Sequence, residues 1–117
     1  DYMANIGHWS LYGYGLWSLR LKDNNEYIGR VGIIKPAMFK EPDLAWQVFE
    51  AYEGKGYAYE AAIAVKDYAI SNFKFTSLAS HIVKRNKNSI SLAERVGLKK
   101  KKEEVIDNKK FIIYFHI

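Results

Sequence analysis

The stretch Glu53-Gly54-Lys55-Gly56-Tyr57-Ala58 sets two glycines and a lysine directly ahead of a segment with helical apolar spacing. That order suits an anion. The first N–H groups of a helix have no partners within it, and its dipole adds positive charge there. Glycines let a phosphate approach the backbone, and Lys55 brings a mobile charge to the rim. The same pattern also makes a plain tight turn. The third glycine of a dinucleotide fingerprint is missing, as is the Gly-Lys-Ser/Thr of a nucleotide P-loop. Further along, Asn86 and Ser89 flank the start of a second helix, where Asn86 or Asn88 suits the N-cap. Carboxylates that can take a proton are Asp43 at a strand start, Glu50 and Glu53 at the loop, and Glu103 and Glu104 near the last hairpin. Each of these positions also suits an ordinary surface acid.

Composition narrows the chemistry. There is no cysteine among the 117 residues. Disulfides, thiolate nucleophiles and thiolate metal sites are therefore excluded, and a reducing, cytoplasmic setting fits. His8, His81 and His116 show no metal-ligand spacing, so no metal is expected. His81 reads as a core or groove residue. The net charge of +5 favours anionic partners. Much of it lies in Lys99-Lys100-Lys101-Lys102, which reads as a solvated strand end before it reads as a nucleic-acid patch. No apolar run reaches the ~20 residues that cross a bilayer, so no membrane partner is expected.

The elements that position these groups follow from periodicity. A chain that is 49% hydrophobic and 26% charged folds as one globular domain over residues 1–117. Strands are expected over 9–22, 27–34 and 44–49, with a turn at Asp23-Asn24-Asn25-Glu26. A helix follows from Gly56 to Asn72, with apolar residues at Ala58, Ala61, Ala62, Val65, Tyr68 and Ala69. A fourth strand runs over 77–83 and a short helix over 88–97, closed by Gly97. Lys99–Ile106 and Lys109–Ile117 form a hairpin around Asp107-Asn108. The fold class is α/β in the order β-β-β-α-β-α-β-β, a mixed twisted sheet with helices packed on it.

Three segments in this order resemble the GNAT superfamily of N-acetyltransferases, in the group similar to the ribosomal-protein N-terminal (alanine/serine) acetyltransferases. "EPDLAWQVFEAYEGKGYAYEA" resembles its cofactor strand, loop and helix. "YGYGLWSLRLKDNNEYIGRVGI" is similar to its preceding strand pair. "NKNSISLAERVGLKK" is similar to its second signature, Asn-x-x-Ser followed by a helix ending in Lys/Arg-x-Gly-Phe/Leu. The resemblance covers residues 10–117. It departs at Ala51, where the loop motif has Gln or Arg. It departs again at Ala93, where many relatives carry a tyrosine acid. The strand and helices that open the family fold have no counterpart in the few residues before the first matching strand.

The resemblance implies acetyl-CoA as cosubstrate. The backbone of Gly54, Lys55, Gly56, Tyr57 and Ala58 would hold its pyrophosphate. Val48 and Phe49, on the strand from Trp46, would meet the pantetheine, and Asn86 would bond it. The catalytic candidates are Asp43 as base and Ser89 near the thioester. The activity implied is acetyl transfer to a primary amine (a protein N-terminus, a lysine or a small amine) by direct attack. A groove wall left open by the short N-terminal part would be covered by a second copy of the chain in a homodimer. Two alternatives remain: a CoA-binding module without catalysis, and a basic nucleic-acid-associated protein.

Overall fold

A computed structural model describes residues 15–72, 75 and 77–117, except for the side chains of 99–101. His8, Trp9 and the first part of the strand expected over 9–22 lie outside the described residues. The elements are β1 Leu16–Arg20, β2 Tyr27–Ile34, β3 Asp43–Val48, a 3-10 turn Glu50–Tyr52 and α1 Tyr57–Asn72. They continue with β4 Ala79–Val83, α2 Lys87–Val96, β5 Lys99–Ile106 and β6 Lys109–Phe115. The order is the one the periodicity predicts, as a mixed α/β fold.

One six-stranded sheet runs β1-β2-β3-β4-β6-β5. All neighbours are antiparallel except β3 and β4, which run parallel. A parallel pair needs a crossover, and α1 supplies it. Its buried residues Ala61, Ala62, Val65 and Ala69 pack on Val31, Ile33 and Leu44 of the sheet. Small side chains let this helix lie close to the strands. Tyr68, expected on the buried face, is instead exposed and sets its ring edge-on against Trp17 at 5.4 Å. Beside α1, α2 buries Leu92 and Ala93. Ala93 packs with Ile82, Ile112 and Tyr114 on the same side of the sheet. Strand residues alternate between faces, so Asp43 and His81 point to the side away from both helices.

Local chemistry sets the ends. Asp107 and Asn108 take φ 55° and 66°, the left-handed pair that a two-residue hairpin turn requires. Gly97 caps α2 at φ 88°, donating its N–H to Ala93 and Glu94 carbonyls.

β3 and β4 meet at a single point. The one register pair between them is Asp43 with Ala79. On its other edge β3 keeps six pairs with β2, and β4 keeps five with β6. The sheet therefore parts along its middle, from Leu44 onward, while both half-sheets stay intact.

Candidate functional site

The parting opens into a groove of about 860 Å³ at the C-terminal ends of β3 and β4. Trp46, Gln47 and Val48 line it from β3. An unpaired strand edge carries N–H and C=O groups that need partners, and a bound chain with amides satisfies them.

The glycine loop forms the outer wall. Gly54, Lys55, Gly56, Tyr57 and Ala58 all line the groove. Gly54 and Gly56 have φ +76° and +84°, which side chains rarely adopt, and a Cβ on either would meet nothing within 4 Å. Backbone conformation, and not packing, requires glycine there. The open side is the groove. The loop bond from Glu60 N–H to Gly56 C=O opens α1. The N–H groups of Tyr57, Ala58 and Tyr59 thus have no helix carbonyl to bond. Arg95 of α2 stacks over the Tyr59 ring at 4.7 Å and brings a second cation to this wall.

The third wall is the start of α2. Asn86 is its N-cap, and its Oδ1 accepts the Ser89 N–H at 3.2 Å. The capping role expected of Asn86 or Asn88 is thus performed by Asn86, which also lines the groove with its amide nitrogen uncommitted to that bond. Ser89 Oγ accepts the indole N–H of Trp46 at 3.3 Å, across 43 residues of sequence. An acceptor bond to the indole leaves the hydroxyl proton available for donation. Ala93 is wholly buried in the core under α2 and offers the groove no donor.

Two of the expected site residues lie elsewhere. Phe49 does not line the groove. Its N–H bonds the Ile28 carbonyl at 2.9 Å, and its ring meets Tyr27 edge-on at 5.0 Å. Asp43 sits at the closed end of the parting and is only 4% exposed. Its Oδ1 accepts the backbone N–H of His81 at 2.6 Å and the ring Nδ1–H at 2.8 Å. A carboxylate so placed has no free approach for an amine. Burial pushes its pKa above the usual carboxylate value, against the lowering effect of the bonds from His81.

Ser80 and His116 complete the closed end. Ser80 Oγ–H donates to the Leu44 carbonyl at 2.7 Å, taking up a group that the parting frees. His116 Nε2 lies 2.9 Å from Ser80 Oγ, and its Nδ1 is buried without a partner. Burial first and the Lys66 charge second push the His116 pKa down to about 3. Sequence reasoning missed this layer. Its contacts join residues 36 to 38 positions apart, and no local pattern marks them.

The lysine run forms the start of β5, at a sheet edge. Lys102 pairs with Glu104 at 2.9 Å, and Lys84 with Glu103 at 2.9 Å. No helix among the described residues is long and apolar enough to cross a membrane.

The acetyltransferase (GNAT) domain pattern matches residues 1–99. The chain belongs to the GNAT family. An uncharacterized Bacillus subtilis (strain 168) protein, YkkB, is 31% identical over 105 residues, 88% of this chain and 61% of YkkB. The chain thus spans about three fifths of that relative's length. An acetyltransferase from Agrobacterium tumefaciens str. C58 has 30% identity and a TM-score of 0.82, over 97% of this chain and 67% of that one. The ribosomal-protein-S5-alanine acetyltransferase of Vibrio fischeri shares the fold, with a TM-score of 0.79 at 16% identity, over 96% and 66% of the two chains.

Proposed function

We propose that this GNAT domain transfers an acetyl group from acetyl-CoA to a primary amine. One observation carries the proposal: the sheet parts between β3 and β4 and leads straight to two left-handed glycines at a helix mouth. A pantetheine arm has amides for the free strand edges. A pyrophosphate suits the N–H groups of Gly54, Lys55, Gly56, Tyr57 and Ala58, with the helix dipole behind them. Val48 lies between the two, and Asn86 has an amide to offer the arm. Family membership supports the same cosubstrate.

The reaction asks for orientation and a few polar groups. A neutral amine attacks the thioester carbonyl, and backbone N–H groups at the end of β3 suit the developing oxyanion. Ser89, whose oxygen accepts the Trp46 indole N–H, has a hydroxyl proton to offer the departing sulfur. Acetyl-CoA supplies the activated acyl group. The amine acceptor is a protein N-terminus, a lysine or a small amine.

Calorimetry of acetyl-CoA on wild type and Gly56→Val, followed by thiol release with three acceptors, tests this. The acceptors are a peptide beginning with alanine, a lysine peptide blocked at its N-terminus, and spermidine. Saturable binding in the wild type and amine-dependent thiol release are expected. A wild type that binds acetyl-CoA but acetylates none of the three would instead favour a CoA-binding module.

A further inference from the structure

A second cavity, of about 510 Å³, differs from the groove in its chemistry. Lys84, Arg85 and Lys87 line it from the turn between β4 and α2, and Asn108, Lys109 and Lys110 line it from the β5–β6 hairpin. Strand pairing brings the two segments together. Val83 stands opposite Phe111, and the Lys84 N–H bonds the Lys110 carbonyl at 2.8 Å. All five cations are exposed. Lys84 pairs with Glu103 at 2.9 Å. Among the described residues, no acid lines the cavity and none of the other four cations has an ion-pair partner.

Charge and position give this cavity a use. Like charges held together repel, so gathering them does nothing for the fold. The net charge of the whole chain is +5, a surplus that the five cations of this one cavity match. Arg85 and Lys87 line the cavity, while Asn86 and Asn88, each the next residue along, line the groove. Neighbouring Cα atoms are about 3.8 Å apart, so one turn of chain is all that separates the two. The cations are side-chain tips on two segments, which suits several carboxylates better than a single phosphate held in a fixed cradle. Nucleic acid fits less well. Among the described residues, no aromatic ring lines the cavity for a base to stack on, and Glu103 and Asp107 interrupt the basic surface that a phosphate backbone would follow.

We propose that this cavity docks the acidic stretch of a polypeptide acceptor, whose amine is acetylated in the neighbouring groove. This rests on the acetyltransferase reading above and narrows its acceptor. An extended peptide advances roughly 3.3 Å per residue, so carboxylates in the cavity and an amine in the groove belong to one chain with a few residues between them. Acids on the acceptor meet Arg85, Lys87, Lys109 and Lys110, and the Asn108 amide can donate beside them. A polyamine brings positive charge to the same wall and is disfavoured there.

The test has one arm that needs no turnover. Amide NMR follows the wild type against peptides with a blocked N-terminal alanine and then a run of glutamates, glutamines or lysines. Saturable, salt-sensitive shifts at Lys84–Lys87 and Asn108–Lys110 are expected with the glutamate peptide alone. The same peptides with a free N-terminus, and spermidine, then serve as acceptors in the thiol-release assay. The glutamate peptide is expected to have a KM about tenfold below that of the glutamine peptide. Lys109→Gln/Lys110→Gln should erase that preference. It should leave acetyl-CoA affinity within about twofold, because neither lysine lines the groove. Lys22→Gln/Lys40→Gln removes the same charge outside the cavity and should keep the preference. Equal KM for the glutamate and glutamine peptides, with no shifts at the cavity, overturns the proposal and leaves the transferase reading standing. An oligonucleotide or acetyl-CoA that moves these amides where the glutamate peptide does not also overturns it. Shifts with the glutamate peptide but acetylation of no amine sink the transferase reading, and the acceptor role with it, while the acidic docking surface stands.

Discussion

The two ends of β3 face the same gap in the sheet and meet it in opposite ways. At Asp43 and Leu44 the protein supplies its own partners. Asp43 takes the His81 N–H, and Ser80 gives its hydroxyl to the Leu44 carbonyl. At Gln47 and Val48 the strand runs into open groove, and the loop beyond keeps two left-handed glycines and the N–H groups of a helix mouth. A frayed sheet would lose its pairing on both sides, yet β2 and β6 stay in register throughout. The difference teaches that the parting is built. Side chains lock its apex, and the far end of β3 opens into the groove.

Breaking the locked end should have the largest effect. Asp43→Ala leaves the His81 ring and backbone N–H without their acceptor in a buried place. Unfolding by urea should report a loss of about 3 kcal/mol or more. Next comes pH. His116 is held neutral in the fold, with its pKa at about 3 against 6.5 when unfolded. Its contribution is therefore complete above 6.5 and is lost as pH falls toward about 3. Between pH 6.5 and roughly 5 that amounts to about 2 kcal/mol, and His116→Gln should abolish it. Asp43 works in the opposite sense. Its raised pKa costs stability as pH climbs from 3.8 through the folded value. The difference between wild type and His116→Gln isolates the histidine. At the open end, Gly56→Val forces a branched side chain into a left-handed conformation, and acetyl-CoA affinity should fall about tenfold or more. Ser80→Ala, which leaves one carbonyl short of a partner, should cost about 1 kcal/mol in the same urea experiment.

Legibility in the sequence followed the range of the interactions. β2 was readable to the residue because a turn cluster and a proline bound it. α1 was readable because its alanines recur at helical spacing. Asn86 and the Asp107-Asn108 turn were readable because caps and hairpins are local chemistry. The glycine loop was readable as a candidate anion site, and its left-handed backbone bears out the need for glycine. The apex was not readable. Asp43 was expected to be an accessible base, and the structure instead buries it against a histidine 38 residues away. Ser80 and His116 carry no local signal, because their roles depend on which strands become neighbours.

An amide NMR titration with acetyl-CoA tests the central claim most directly. The account predicts saturable shifts at Gln47, Val48 and the amides from Gly54 to Ala58, with His81 and Leu44 at the locked end moving little. Saturable shifts confined to Lys84–Lys87 and the β5–β6 hairpin, or none at all, would contradict it.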